Sequence, residues 1–339
     1  MPNISLLSIL IIIILILSAG NPVYCQDQTN NSNNFSLGTF FGAVYGHSEE
    51  LVYPYSEPAE LLSELLWDMK PILYAGFQVD YGRASIMKSP GVFASLVFKA
   101  GIPGDSGTME NRDWQSLTNT SLSDFSTHTN RTKEFIWIDL NIGASIPFKY
   151  IYLKPFISGS WMHFAFSARN GYGTYRVFEC SKNCTLSYKA PDCTVDHENS
   201  FPRIASFEGQ EVITYRQDWL LIALGISAGT NILFPLCIDL TFQISPFTYC
   251  AAEDQHLGRN TTFLDFTGWG LFIEPKINIS LCLERFDFSL EASYRSIGRT
   301  SGDSYSRASS SSGPFGLLLN KTGAALSLFD ARFLVRIWF

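Results

Sequence analysis

Asp254 and His256 flank a single glutamine. In an extended segment residues i and i+2 share a face, so this carboxylate and imidazole stand side by side. The carboxylate then fixes the tautomer of the ring and raises its basicity, which a general base requires. Earlier in the chain Asn111 and Asp113 flank Arg112, Ser126 and His128 lie a little further along, and Glu50 sits in a polar run. Asp113 is suited to hold and polarise a water, so no nucleophilic Ser or Cys motif is needed. Asp113, His128, Asp254 and His256 also have the ligand types that serve a metal, but the expectation is no metal and no cofactor. Asp-X-His arises by chance, and polar-segment carboxylates are usually only solvated. The elements that carry these residues have to decide their role.

The last of those elements is the most informative. From Ala325 the chain reads ALSLFDARFLVRIWF. Phe329, Ala331, Phe333, Val335, Ile337 and Phe339 alternate with a face carrying Asp330, Arg332 and Arg336. The same pattern recurs in Glu134–Phe148, Cys237–Ser245, Leu271–Leu281 and Arg285–Arg295. In Cys237–Ser245, for example, Ile238, Leu240, Phe242 and Ile244 oppose Asp239, Thr241 and Gln243. A dry core would not accept such charges unpaired. Lipid on one face and a polar lumen on the other accommodates both, which is the pattern of a transmembrane β-barrel.

Ten strands are expected, at 38–48, 70–83, 91–102, 134–147, 151–168, 212–229, 237–250, 264–281, 284–297 and 323–339. Short turns alternate with long polar segments at 49–69, 103–133, 169–211, 251–263 and 298–322. The expected fold is therefore all-β, a ten-stranded antiparallel transmembrane barrel of the outer-membrane type. Residues 36–339 would form one domain with five long extracellular loops, the candidate site facing the exterior. Lumen charges of both signs (Asp139, Asp239, Asp287, Glu291, Arg295, Arg332 and Arg336) are expected to pair across the interior and plug it.

Composition agrees. Aromatics make up 14% of the 339 residues and charged residues only 16%. The net charge of -7 argues against a nucleic-acid partner. Beyond the N-terminus no apolar run is long enough for a membrane helix. Ile4–Leu17 followed by Ser18, Ala19 and Gly20 reads as a signal peptide within residues 1–25, although no Lys or Arg precedes Lys70. Of seven cysteines, Cys180, Cys184 and Cys193 crowd one polar segment and suggest a disulfide with an odd thiol left over.

Several short segments resemble the omptins, a family of outer-membrane endoproteases. They are Gly46–Tyr53 (GHSEELVY), Gly107–Trp114 (GTMENRDW), Asp124–His128 (DFSTH), Phe135–Ile142 (FIWIDLNI), Phe166–Arg169, Ser200–Pro202, Tyr215–Gln217 and Asp254–His256. The resemblance runs from Leu37 to Phe339. It implies a ten-stranded barrel that stands well out of the membrane and cleaves polypeptides at the cell surface. By position, His256 would be the general base and Asp254 its orienting partner. Asp113 matches the second residue of the family's Asp-X-Asp, whereas Asn111 falls where the first Asp belongs. Ser126 and His128 match secondary site residues. Glu50 matches one acidic residue at the bottom of the family's pocket for a basic side chain, but its acidic partner falls at Ala252, which leaves the pocket less acidic. The lipopolysaccharide-binding residues are not matched, since Gly159, Trp161, His163 and Asp218 occupy their positions. Asn111 also leaves open a catalytically silent relative that acts as an adhesin or receptor.

Overall fold

The computed structural model describes residues 35–54, 61–82, 90–114, 122–148, 151–177, 201–230, 235–283 and 285–339. By contacts the chain divides into Met1–Asn33, outside those residues, and Asn34–Phe339, which carries every strand. The expected signal peptide, Cys25 and the cysteines at 180, 184 and 193 therefore lie outside the described residues.

Among the described residues fourteen strands form one antiparallel sheet: β1 (Phe35–Tyr53), β2 (Ser63–Tyr81), β3 (Gly91–Gly101), β4 (Gly104–Asp113), β5 (Asp124–Pro147), β6 (Ile151–Val177), β7 (Phe201–Ser206), β8 (Glu211–Thr230), β9 (Leu236–His256), β10 (Thr261–Gly268), β11 (Phe272–Cys282), β12 (Phe286–Ile297), β13 (Ser301–Ala308) and β14 (Gly316–Trp338). The ends of the strands nearer the chain termini, here the lower ends, pair in the order β1, β2, β3, β5, β6, β8, β9, β11, β12, β14, and β14 pairs β1 from Ser36 to Tyr53. At the upper ends β4 replaces β3 between β2 and β5, and β10 and β13 replace β11 and β12 between β9 and β14.

The four strands beyond the expected ten are β4, β7, β13 and one half of the run expected as a single strand at 264–281. That run breaks at Trp269, whose φ is 68°. Thr248 absorbs the break: its carbonyl accepts from Trp269 N at 3.0 Å, and its hydroxyl lies 2.8 Å from both Gly270 N and Gly270 O. The segments 103–133, 251–263 and 298–322, expected as loops, contain β4, the upper part of β5, the start of β10 and β13. Their sequences hid this because both faces are polar. In β4, Asp105, Thr108, Glu110 and Arg112 alternate with Ser106, Met109, Asn111 and Asp113, so no apolar stripe marks a strand.

Strand length explains why. A tilted strand crosses a bilayer in about 9–11 residues, but β1, β5 and β6 run for 19, 24 and 27. Only the lower half of each carries the exposed apolar face: Phe41, Leu73, Ile142, Ile157, Leu224, Leu240, Ile279, Leu290 and Phe329 belong to it. Aromatics gather at its two edges, Phe35, Tyr81, Phe286 and Phe339 below and Tyr45, Phe247, Tyr249 and Trp269 above, as interfacial girdles do. Above this belt register shifts change the inward parity of several strands. In β2, opposite Val44/Gly46, Ile72, Tyr74 and Gln78 face inward below, and Leu65, Trp67 and Met69 above. In β5 and β9 the shifts fall at Thr132/Glu134 and opposite Ile222/Leu224. Bulges of this kind re-aim side chains. Here they turn Ser126, His128, Cys250, Ala252 and Asp254 inward.

The lower interior is filled. Arg295 reaches Glu274 at 2.8 Å and Asp139 at 3.4 Å, Arg332 meets Glu291 at 2.9 Å, and Arg336 meets Asp80 at 2.8 Å and Asp287 at 3.5 Å. Lys99 pairs with Asp330 and stands 3.6 Å from the centre of the Trp137 ring. The charges are paired and stacked, as buried ions must be.

Candidate active site

Asp254 and His256 end β9, and the short turn Leu257–Asn260 leads back into β10. Their side chains meet: His256 Nε2 lies 2.6 Å from Asp254 Oδ2. The carboxylate is 2% exposed and the imidazole 14%. With Nε2–H directed at the carboxylate, Nδ1 carries the free lone pair. Phe263, opposite Asp254 in the β9–β10 register, puts its ring edge-on to the imidazole at 5.4 Å. The arrangement holds the imidazole in one orientation, with Nδ1 left to take a proton.

The second group stands on β4 and β5. Asn111 Nδ2 donates to Asp113 Oδ2 at 3.5 Å, and Ser63 Oγ donates to Asp113 Oδ1 at 2.6 Å. Asn111 is opposite Ser126, and Met109 is opposite His128. His128 Nδ1–H donates to the Asn170 carbonyl at 2.6 Å, which leaves Nε2 to accept from Ser126 Oγ at 3.0 Å. Burial pushes the pKa of His128 down, against the pull of that carbonyl, and keeps the ring neutral. Ser126 is further hydrogen-bonded to Tyr175. Glu110, beside Asn111, points the other way and binds Arg112, so it does not stand in for the absent carboxylate.

The Asn170 carbonyl is aimed by the backbone. Asn170 and Gly171 have φ of 56° and 88°, and a Cβ on Gly171 would lie 1.9 Å from the Thr127 carbonyl oxygen. Gly171→Ala is therefore expected to destabilise the protein by more than about 1 kcal/mol. Gly209→Ala, at φ 74° with open space around its Cβ, should cost less. Urea midpoints of the two variants in detergent check this; equal midpoints would show that the turn yields without strain.

Glu50 faces inward from β1 and is 4% exposed. Burial first, then the charges of Asp254 and Asp265, push its pKa well up. Asp254 is thus electrostatically joined to Glu50, whereas Ala252 contributes no polar group. Below them Ser48 donates to Gln217 Oε1 at 2.6 Å, and Gln217 Nε2 donates to Tyr215 Oη at 2.6 Å. Tyr215 stacks on Trp67 at 5.2 Å, and Trp67 on Phe166 at 5.7 Å. These rings separate the site from the ionic interior below.

No motif or spacing in the sequence marks Ser63, Asn170 or Tyr175 as part of the site. Nor is Asp265 marked, because its place depends on where the hairpin turns. Placing the turn at Leu257–Asn260 pairs His256 with Thr261 and carries the register to Ala252 and Asp265.

A sheet with an exposed apolar belt, a charged and filled interior and an Asp–His couple above the belt belongs to the class of transmembrane β-proteins. The chain is a member of the omptin family, whose model matches residues 31–329. Among solved structures it is similar to the outer membrane protease OmpT from Escherichia coli, with a TM-score of 0.73 and 15% identity over 93% of this chain and 99% of that one. The translocator domain of the autotransporter NalP from Neisseria meningitidis matches with a TM-score of 0.34 and 11% identity over 92% and 90%. The toluene transporter TodX from P. putida matches with 0.30 and 7% over 91% of each chain. No curated protein matches the sequence.

Proposed function

We propose that the protein is a surface endopeptidase of omptin type, built on a ten-stranded transmembrane barrel whose upper ends face the exterior. The cycle of ten pairings through β14 and β1 supports the barrel. The observation that carries the activity is the 2.6 Å contact between a buried Asp254 and the inward edge of His256. In this reading a water sits between His256 and the Asn111/Asp113 pair. His256 Nδ1 takes its proton as it attacks the peptide carbonyl, the resulting hydroxyl joins the carbonyl carbon, and the imidazolium returns the proton to the leaving amine. Asp254 balances the charge on the ring during the interval. Asp113 and the Asn111 amide orient the water. Metal and cofactor have no part in it.

On the outer face His163 is held between Asp218 at 2.9 Å and Glu134 at 3.2 Å, and Trp161 Nε1 donates to Asp218. Two carboxylates there disfavour a phosphate-bearing lipid, so lipopolysaccharide is not a required activator in this reading. Digestion of a peptide library by the refolded protein tests the proposal. Cleavage that is lost in Asp254→Ala supports it. An inert parent protein would favour the adhesin or receptor reading, for which the missing carboxylate at Asn111 speaks.

Asn111→Asp is expected to change the pH profile. It would place two carboxylates about as close as Asn111 Nδ2 and Asp113 Oδ2 are now, 3.5 Å. Like charges at that distance raise one pKa, so turnover should gain a dependence on the acid side, where one of the pair takes up a proton. A profile identical to the parent's would mean that the water is held by Asp113 and His256 alone.

A further inference from the structure

Glu50 and Asp265 are 4% and 6% exposed, on β1 and β10. Glu50 Oε2 and Asp265 Oδ1 are buried and have no hydrogen-bond partner among the described residues; Asp254 Oδ1 is in the same condition. A buried carboxylate oxygen without a partner is costly. Asp265 stands directly across the β9–β10 ladder from Ala252. Its other oxygen accepts from Thr322 Oγ1 at 3.0 Å, and that hydroxyl lies 3.2 Å from the Leu51 carbonyl, next to Glu50. Thr322 thus joins the two strands that bear the carboxylates.

The groups around the pair are neutral or negative. Asp254 and Cys250 come from β9, Tyr215 from β8, Ser304 from β13 and Thr322 from β14. Burial, and then nearby carboxylates including Glu50 and Asp265, hold Tyr215 and Cys250 in their protonated forms. The charges that act on Glu50 are Asp254 and Asp265, and the charge that acts on Asp265 is Asp254; none is a cation.

We propose that Asp265 is a specificity-determining residue, which supplies from β10 the carboxylate absent at Ala252 and forms with Glu50 a two-carboxylate pocket for a guanidinium or ammonium side chain of the substrate. The proposal rests on the peptidase reading for its substrate, a polypeptide. It restores to the pocket the second acid that the sequence alone left missing. It also adds a proton step. Burial, together with Asp254, pushes Asp265 up to about 6 against the Ser304 and Thr322 hydroxyls, and Glu50 lies well above the usual carboxylate range. The empty pocket therefore takes up a proton more readily than two ordinary carboxylates do. An entering cation supplies the positive charge, the proton leaves to solvent, and both carboxylates become ionised around the bound side chain.

The test is equilibrium binding to the His256→Ala protein, which holds substrate without turning it over. Two blocked peptides are compared, identical except for arginine or uncharged citrulline at one position. The arginine peptide is expected to bind about tenfold tighter or more. Its binding should release protons, read by calorimetry in two buffers of different ionisation enthalpy. Asp265→Asn should remove most of the preference, and Ala252→Asp added to Asp265→Asn should restore it, which also shows that the single variant is folded. A parent without the preference, or an Asp265→Asn protein that keeps it, overturns the proposal. Cleavage is scored separately: if the His256→Ala protein still cleaves like the parent, the peptidase reading falls while the binding result still decides the role of Asp265.

Discussion

His256→Ala is expected to lower peptide turnover by about a hundredfold or more, the usual loss when a general base is removed. The effect should appear in kcat with little change in KM, because the imidazole acts on the water and not on the bound substrate. Three features of the site make the loss large. The ring is held in one orientation by a carboxylate that is 2% exposed, so no other arrangement of the couple is at hand. Phe263 closes the other side of the ring. The remaining imidazole in the region, His128, has Nδ1 committed to Asn170 and Nε2 to Ser126, so it is not free to take over. Asp254→Asn should fall between parent and His256→Ala, since an amide oxygen still accepts from Nε2 but carries no charge to balance the imidazolium. If His256→Ala cleaves as fast as the parent, the water is activated elsewhere.

The parts of the fold that are legible in the sequence are those that touch lipid. Within the belt the outward residues are apolar and the inward ones polar, so strands such as 286–297 and the lower half of β14 show period two without interruption. Above the belt both faces meet water or a polar interior, and β4 and β13 lose the alternation that would announce them. The bulge opposite Val44/Gly46 also reverses the parity of β2, so Ser63–Met69 fall out of phase with the strand expected below them. The candidate site shows the same division. Asp254 and His256 lie two apart on one strand, so their contact follows from extended geometry. The pairing of Asp265 with Ala252 depends on where a hairpin turns, and that is set by Asn260 in the left-handed region and the turn before it, which the polar run 257–263 does not advertise.

Arg295→Ala should destabilise the protein more than Gly171→Ala does. Arg295 is 1% exposed and donates to Glu274 at 2.8 Å and Ser160 at 2.9 Å, with Asp139 at 3.4 Å. Its guanidinium also lies 4.1 Å from the centre of the Trp137 ring and 5.3 Å from that of Phe272. Removing it takes from two buried carboxylates their ion-pair partner and empties the space between two aromatic faces. Breaking a buried pair in this way costs about 3–5 kcal/mol. The urea midpoint of the refolded protein should fall accordingly, with the slope unchanged if the unfolded state is unaltered. Replacing the whole network separates charge from packing: Arg295→Met combined with Glu274→Gln and Asp139→Asn removes all three charges while keeping volume, and should recover most of the loss. A midpoint for Arg295→Ala close to the parent's would mean that water enters the lower interior and solvates Glu274 and Asp139. The same variant would then be expected to conduct ions across a planar bilayer, which a dry, paired interior does not. Peptide turnover per folded molecule should stay close to the parent's in either case. The contacts of Arg295 run to Asp139, Ser160, Met162 and Glu274, below the aromatic layer of Trp67, Tyr215 and Phe166, and none of them reaches the Asp254–His256 couple.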